Sequence, residues 1–76
     1  MLRRKRKKNR LERVEVINQR TGRFLLDLPP PAVEGFALDR ANDKNSDDLL
    51  FIGIDRSGYT YDSWTLSDVL AGHFVV

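Results

Sequence analysis

Three consecutive prolines, Pro29-Pro30-Pro31, divide this chain more sharply than any other feature. Proline has no amide donor and its ring biases the preceding residue toward extended backbone, so neither a strand ladder nor a helix runs through the triplet. The residues before it must satisfy their backbone among themselves. They can do so as a hairpin: Val14 and Val16 alternate with Glu15, Asn18-Gln19-Arg20-Thr21-Gly22-Arg23 supply turn chemistry, and Phe24-Leu25-Leu26-Asp27-Leu28 return. Gly22 suits the left-handed position that short hairpin loops need. The pattern predicts a β-hairpin over roughly 12 to 28. The triplet lacks a full P-x-x-P pattern and is expected to be a polyproline II spacer out of the sheet.

Beyond the prolines, Ala32 to Asp48 turn strongly polar (Asp39, Arg40, Asn42, Asp43, Lys44, Asn45, Ser46, Asp47, Asp48). This stretch predicts a long surface loop with room for a helical turn near Ala37 to Ala41. Leu49-Leu50-Phe51-Ile52-Gly53-Ile54-Asp55 is the most apolar run, short and interrupted by Gly53, as a central strand would be. Arg56-Ser57-Gly58 turn it into Tyr59-Thr60-Tyr61-Asp62, a second hairpin whose Arg-Ser-Gly echoes the Arg-Thr-Gly of the first through common turn chemistry. Thr65 or Ser67 can cap a short helix with Asp68 in its first turn, carrying Leu66, Val69 and Leu70 to a stop at Gly72. His73 to Val76 form an apolar tail. The fold class expected is a small β or α+β domain: an antiparallel sheet of two hairpins, a long polar loop and a short C-terminal helix.

Alternation along these strands sorts the apolar residues into two faces. One is expected to hold Val14, Val16, Phe24, Leu26, Leu28, Leu50, Ile52 and Ile54, and the other Ile17, Leu25, Phe51, Tyr59 and Tyr61. One short helix cannot cover both, so the second face is either closed into a small barrel or docked on another chain. Phe51, Tyr59, Tyr61 and Trp64 are the residues expected at a protein interface. A base-stacking platform of Phe51, Tyr59 and Tyr61 is the minor alternative, disfavoured by the acidity of this part of the chain.

Charge is segregated along the chain. Residues 1 to 10 carry seven cations (Arg3, Arg4, Lys5, Arg6, Lys7, Lys8 and Arg10) and no acid, which leaves six of the 13 basic residues to set against all 11 acidic ones in 11 to 76. The chain thus divides into a basic arm, 1 to 10, and a small acidic β-rich domain, 11 to 76. With only Met1 and Leu2 to bury, the arm has no basis for folding alone. Its seven cations suit phosphate: each neutralised phosphate releases counterions, and four of the seven are arginines, which capture phosphate in a bidentate manner. It lacks aromatic and amide side chains apart from Asn9, so little sequence specificity is expected. An import-type receptor, an acidic membrane surface, an acidic protein flank, or the domain's own carboxylates are the other companions such an arm suits. For the membrane, no acylation motif adds a second anchor.

Other chemistries have little to build on. There is no Cys for a disulfide or thiolate site, and His73 is the sole histidine. No nucleophile elbow or phosphate loop occurs. Asp43-Lys44-Asn45-Ser46-Asp47 has the spacing of a calcium loop, but Asp48 stands where the loop glycine belongs and Ile54 where the bidentate Glu belongs. Asp55 and Asp62 flank the second hairpin without a concave site to make them an acid–base pair. No cofactor, metal or enzymatic activity is therefore expected. No apolar run reaches the roughly 20 residues of a membrane span and no signal-peptide core follows the N-terminal charges, so an intracellular or particle-internal place is expected. The function expected is that of a structural assembly protein of a nucleoprotein particle, virion- or ribosome-like, with the arm on nucleic acid or in an acidic groove and the domain on protein. The alternative is a small regulator or inhibitor, phage-encoded for example, whose acidic domain occupies a basic groove of a host enzyme.

Overall fold

The computed structural model describes residues 10–44 and 46–74, and of Tyr61 the backbone only. Arg3, Arg4, Lys5, Arg6, Lys7 and Lys8, assigned above to phosphate, lie outside the described residues.

Both hairpins form where turn chemistry placed them. Strand β1 (Leu11–Asn18) pairs antiparallel with β2 (Arg23–Leu28). Asn18 organises the loop between them, its Oδ1 accepting from the amides of Arg20 (2.9 Å) and Thr21 (3.1 Å), while Gly22 adopts φ +76° and donates to the Asn18 carbonyl. Strand β3 (Leu49–Asp55) pairs antiparallel with β4 (Thr60–Thr65). Here Asp55 Oδ1 accepts from the amides of Ser57 (2.8 Å) and Tyr59 (3.1 Å), and Gly58 sits at φ +89°. In each loop an Asx side chain replaces the missing ladder bonds and a glycine takes the left-handed backbone that other residues resist.

The hairpins join through β1 and β3 into one antiparallel sheet of order β2-β1-β3-β4. β2 and β4 are its edges and do not pair with each other, so the sheet stays open and the barrel alternative does not hold. Both edges are irregular: Leu25 in β2 and Tyr61 in β4 are extra residues opposite register shifts in their partners. Bulged edges are poor templates for further strands.

The link from β2 to β3 crosses β1 and carries a full helix where a long loop with one helical turn near Ala37 to Ala41 was expected. Pro29 is extended (φ −72°, ψ 149°), Pro30–Ala32 make one 3-10 turn, and α1 runs from Val33 to Arg40. Prolines at the entrance remove only amides that a first turn leaves unpaired, so the triplet launches the helix as well as ending the strand. Val33 and Ala37, four residues apart, are fully buried, and Phe36 meets Phe51 edge-on at 6.0 Å. The polar loop shrinks to residues 41–48, tied to the first hairpin where the Gln19 amide donates to the Asp48 carbonyl. Asn45 of the calcium-like motif lies outside the described residues.

Strand β3 also has the opposite phase from the one expected. Val16 faces Phe51 and Val14 faces Gly53 across the β1–β3 ladder, so Phe51 joins Val14, Val16 and Val33 as the largest fully buried side chains among the described residues, and Leu50 and Ile52 turn to the far side. Burying a phenylalanine in this way contributes about 2–3 kcal/mol. The β2 bulge likewise moves Phe24 to the far side beside Ile17, where it is 53% exposed, while Leu26 and Leu28 keep the core phase. The expected face of Phe24, Leu50 and Ile52 with Val14 and Val16 is thus corrected at those three residues, whereas Ile54 is buried as expected although the register sets it in the column of Leu50 and Ile52.

Trp64 is buried rather than presented to solvent, stacked edge-on against Phe74 at 4.6 Å and lying over Gly53. The short helix α2 (Leu66–Leu70) begins as the sequence pattern predicts, with a capping box. Thr65 Oγ1 accepts from the Asp68 amide and Asp68 Oδ2 accepts from the Thr65 amide. The Thr65 amide, then its hydroxyl, hold the Asp68 carboxyl below its ordinary value, with His73 adding a smaller effect. Gly72 ends the helix at φ +86°. α1 and α2 pack together over one face of the sheet, and the other face carries no layer of described residues.

Candidate binding surfaces

The register fixes what lies at each end of the sheet. At one end Leu11 is the partner of Asp55, so Arg10 and Arg56 stand next in line beyond the ladder. Both are exposed, and neither makes an ion pair among the described residues. Like charges set side by side across a strand pair repel, which makes this end a place where an anion is welcome. It is also where residues 1–9 join the domain.

At the opposite end Asn18 meets Arg23 and Leu49, and α1 delivers its C-terminus and the acid-rich residues 39–48. Their carboxylates are mixed with cations. Arg20 Nε lies 3.7 Å from Asp48 Oδ2, Arg40 Nε lies 3.8 Å from Asp43 Oδ2, and the Arg40 guanidinium also covers the Phe36 ring at 4.6 Å. A groove of about 420 Å³ runs between Asn18, Leu25, Arg40 and Lys44. With Arg20, Arg23, Arg40 and Lys44 near Asp39, Asp43, Asp47 and Asp48, this end has no surplus of negative charge.

The open face of the sheet can be laid out in rows from the pairing. Phe24, Ile17, Leu50 and Thr65 form the first; Asp27, Glu15, Ile52 and Ser63 the second; Arg13, Ile54 and Thr60 the third. Leu50 and Ile52, both half-buried, therefore make an aliphatic column down β3 that Ile54, itself buried, continues. Arg13 Nη2 binds Glu15 Oε2 at 3.0 Å, and Asp27 stands opposite Glu15 with no ion pair among the described residues. Aliphatic groups flanked by two carboxylates suit a protein surface better than nucleic acid, whose phosphates those carboxylates would repel.

Of the four residues expected at a protein interface, Phe51 and Trp64 are core residues with little surface to offer. Tyr59 projects from the β3–β4 loop at 72% exposure, and the side chain of Tyr61 lies outside the described residues. Arg10 is exposed as a phosphate ligand must be. Of the open-face set Ile17 was expected there, while Phe24 was missed because of the bulge at Leu25, and Leu50 and Ile52 because the run from Leu49 to Ile52 is apolar at every position and gives alternation nothing to register. Arg56 was missed too, although its place beside Arg10 follows once Leu11 and Asp55 are paired.

The remaining candidates are taken up locally. Asp55 shapes its loop, Asp62 accepts from the Ser63 amide, and His73 Nδ1 lies 3.6 Å from Asp68 Oδ1. Among the described residues no group of three or more His, Cys, Asp or Glu is placed to hold a metal ion, and no helix is long and apolar enough to cross a membrane. Comparison with models of protein families, with curated proteins and with solved structures finds no match to this chain.

Proposed function

We propose that this chain is a non-enzymatic assembly protein of a nucleoprotein particle, in which the basic arm engages nucleic acid and the open sheet face docks on a protein component. The observation that carries the reading is the distance between the arm's junction and the acid-rich segment. The arm leaves beside Arg10 and Arg56, which make no ion pair among the described residues. The acid-rich segment 39–48 lies a strand length away, about 26 Å for an eight-residue β1. Nine residues span about 30 Å at full stretch, so the arm would have to be drawn out straight to reach carboxylates that Arg20 and Arg40 already engage. The nearer carboxylates, Glu12, Glu34, Asp55 and Asp62, are divided among β1, α1, the end of β3 and the β4 edge, and Asp55 Oδ1 already accepts from two loop amides. An arm with seven cations is better satisfied by an external polyanion. The same mixture of charges weighs against a domain that mimics a polyanion at this end, since Asp43 and Asp48 have arginine partners of their own.

The two surfaces are separable by mutation. Removing residues 1–10 abolishes binding to nucleic acid while the near-ultraviolet circular dichroism of buried Trp64 persists. Ile52→Glu leaves nucleic-acid binding intact and abolishes incorporation into the particle. An arm-deleted chain that still binds nucleic acid, or an Ile52→Glu chain that still assembles, refutes the corresponding half.

A further inference from the structure

The arm end of the domain carries more than cations. Among the described residues Tyr59 is the most exposed of the large apolar side chains, ahead of Leu38 at 65%, yet its backbone is held firmly. Its amide donates to Asp55 Oδ1, its carbonyl accepts from the Asp55 amide at 3.0 Å, and the preceding Gly58 amide donates to the Asp55 carbonyl at 2.9 Å. An aromatic ring on a clamped loop is a costly thing to leave in water and a cheap one to stack, because little backbone freedom is lost on binding. Arg56 belongs to the same loop, and Arg10 stands next to it at the mouth of the arm.

We infer that this end is a single-stranded nucleic-acid site, in which Tyr59 stacks on an unpaired base while Arg56 and Arg10 hold the neighbouring phosphates. The inference rests on nucleic acid being the arm's partner and narrows it to strands whose base faces are free. A duplex keeps those faces inside its own stack, out of reach of a ring on a loop tip. Single strands offer them, and stacking on an aromatic ring adds affinity without reading the base edge. The nearest carboxylates are Asp55, whose Oδ1 accepts from two loop amides, and Glu12 on β1. Neither lies between Tyr59 and Arg56 in the loop, and stacking reads no base edge, so broad sequence tolerance goes with the site.

The test uses the full chain and fluorescence anisotropy with a labelled single-stranded oligonucleotide, a duplex of equal length, heparin and polyglutamate. Tighter binding to the single strand than to the duplex is expected. Tyr59→Ala should weaken single-strand binding about 5- to 150-fold and leave heparin binding unchanged. Tyr59→Phe should retain it, and Arg56→Gln should reduce the salt slope by about 0.7. Trp64 fluorescence reports that each variant is folded. Equal affinity for single strand, duplex and heparin, with no effect of Tyr59→Ala, overturns this inference and leaves the nucleic-acid reading standing. Binding to none of them, or to polyglutamate alone, overturns both.

Discussion

Gly53 tests the packing of the two central strands. A methyl group there would lie 2.7 Å from Leu11 Cδ1, 3.0 Å from Trp64 Cζ3 and 3.1 Å from Trp64 Cη2. The leucine methyl can swing aside at some cost, but Trp64 is wedged against Phe74 and has no free direction. Overpacking of this kind costs about 1–3 kcal/mol. Against it stands the gain from stiffening the unfolded chain, about 0.4–1 kcal/mol for Gly to Ala. The balance for Gly53→Ala is a loss of about 1 kcal/mol or slightly more, an appreciable part of the roughly 4–11 kcal/mol expected for a chain of this length. At about 4–8 °C per kcal/mol, Tm should fall by about 5–10 °C in a thermal melt followed by circular dichroism. Leu11→Ala alone should cost about 2–5 kcal/mol, and the double variant should fall short of the sum by about 1 kcal/mol because the truncated leucine makes room for the methyl. A Gly53→Ala protein as stable as the parent, or strict additivity in the pair, would refute the close approach of Leu11 and Trp64 to the backbone.

Three further outcomes follow from the structure. Phe51→Ala should lower stability by about 3–5 kcal/mol in urea unfolding, whereas Ile52→Ala, one residue along on the open face, should cost less than about 2 kcal/mol; the reverse order would restore the other phase of β3. Thr65→Ala should cost about 1 kcal/mol through loss of the capping bond to the Asp68 amide, measured in the same way. Because the Asp68 carboxyl titrates below its ordinary value in the folded chain, its contribution is present above the unfolded carboxylate range and is lost as pH falls through the lowered value. Asp68→Asn should flatten that acid limb of the stability profile, and a limb of unchanged steepness would contradict the capping account.

The parts of the fold that the sequence announced are those with local chemistry. Asn18 and Gly22 mark one loop, Asp55 and Gly58 the other, and Thr65 with Asp68 opens α2; each acts within four residues of itself. The parts it concealed depend on partners far along the chain. From Leu49 to Ile54 every residue except Gly53 is apolar, so only the facing of Val16 with Phe51 decides which side is core. Helix α1 was hidden by Gly35 and the prolines, whose helix-breaking character holds inside a helix but not at its entrance. The bulge at Leu25 is invisible in a run of three apolar residues. Of the candidate surfaces, the charge split was plain in the sequence, while the pairing of the far-end acids and the presence of Arg56 beside Arg10 needed the register.

The dependence of nucleic-acid affinity on salt, measured for the full chain and for a chain with its arm cations changed to glutamine, bears most directly on the central claim. For a single strand held by the seven arm cations, log K should fall against log salt with a slope of about −5, and the neutralised arm should bring it near −1 or abolish binding. A slope near zero in the parent chain, or one that glutamine substitution leaves unchanged, would mean that the arm seeks no outside polyanion.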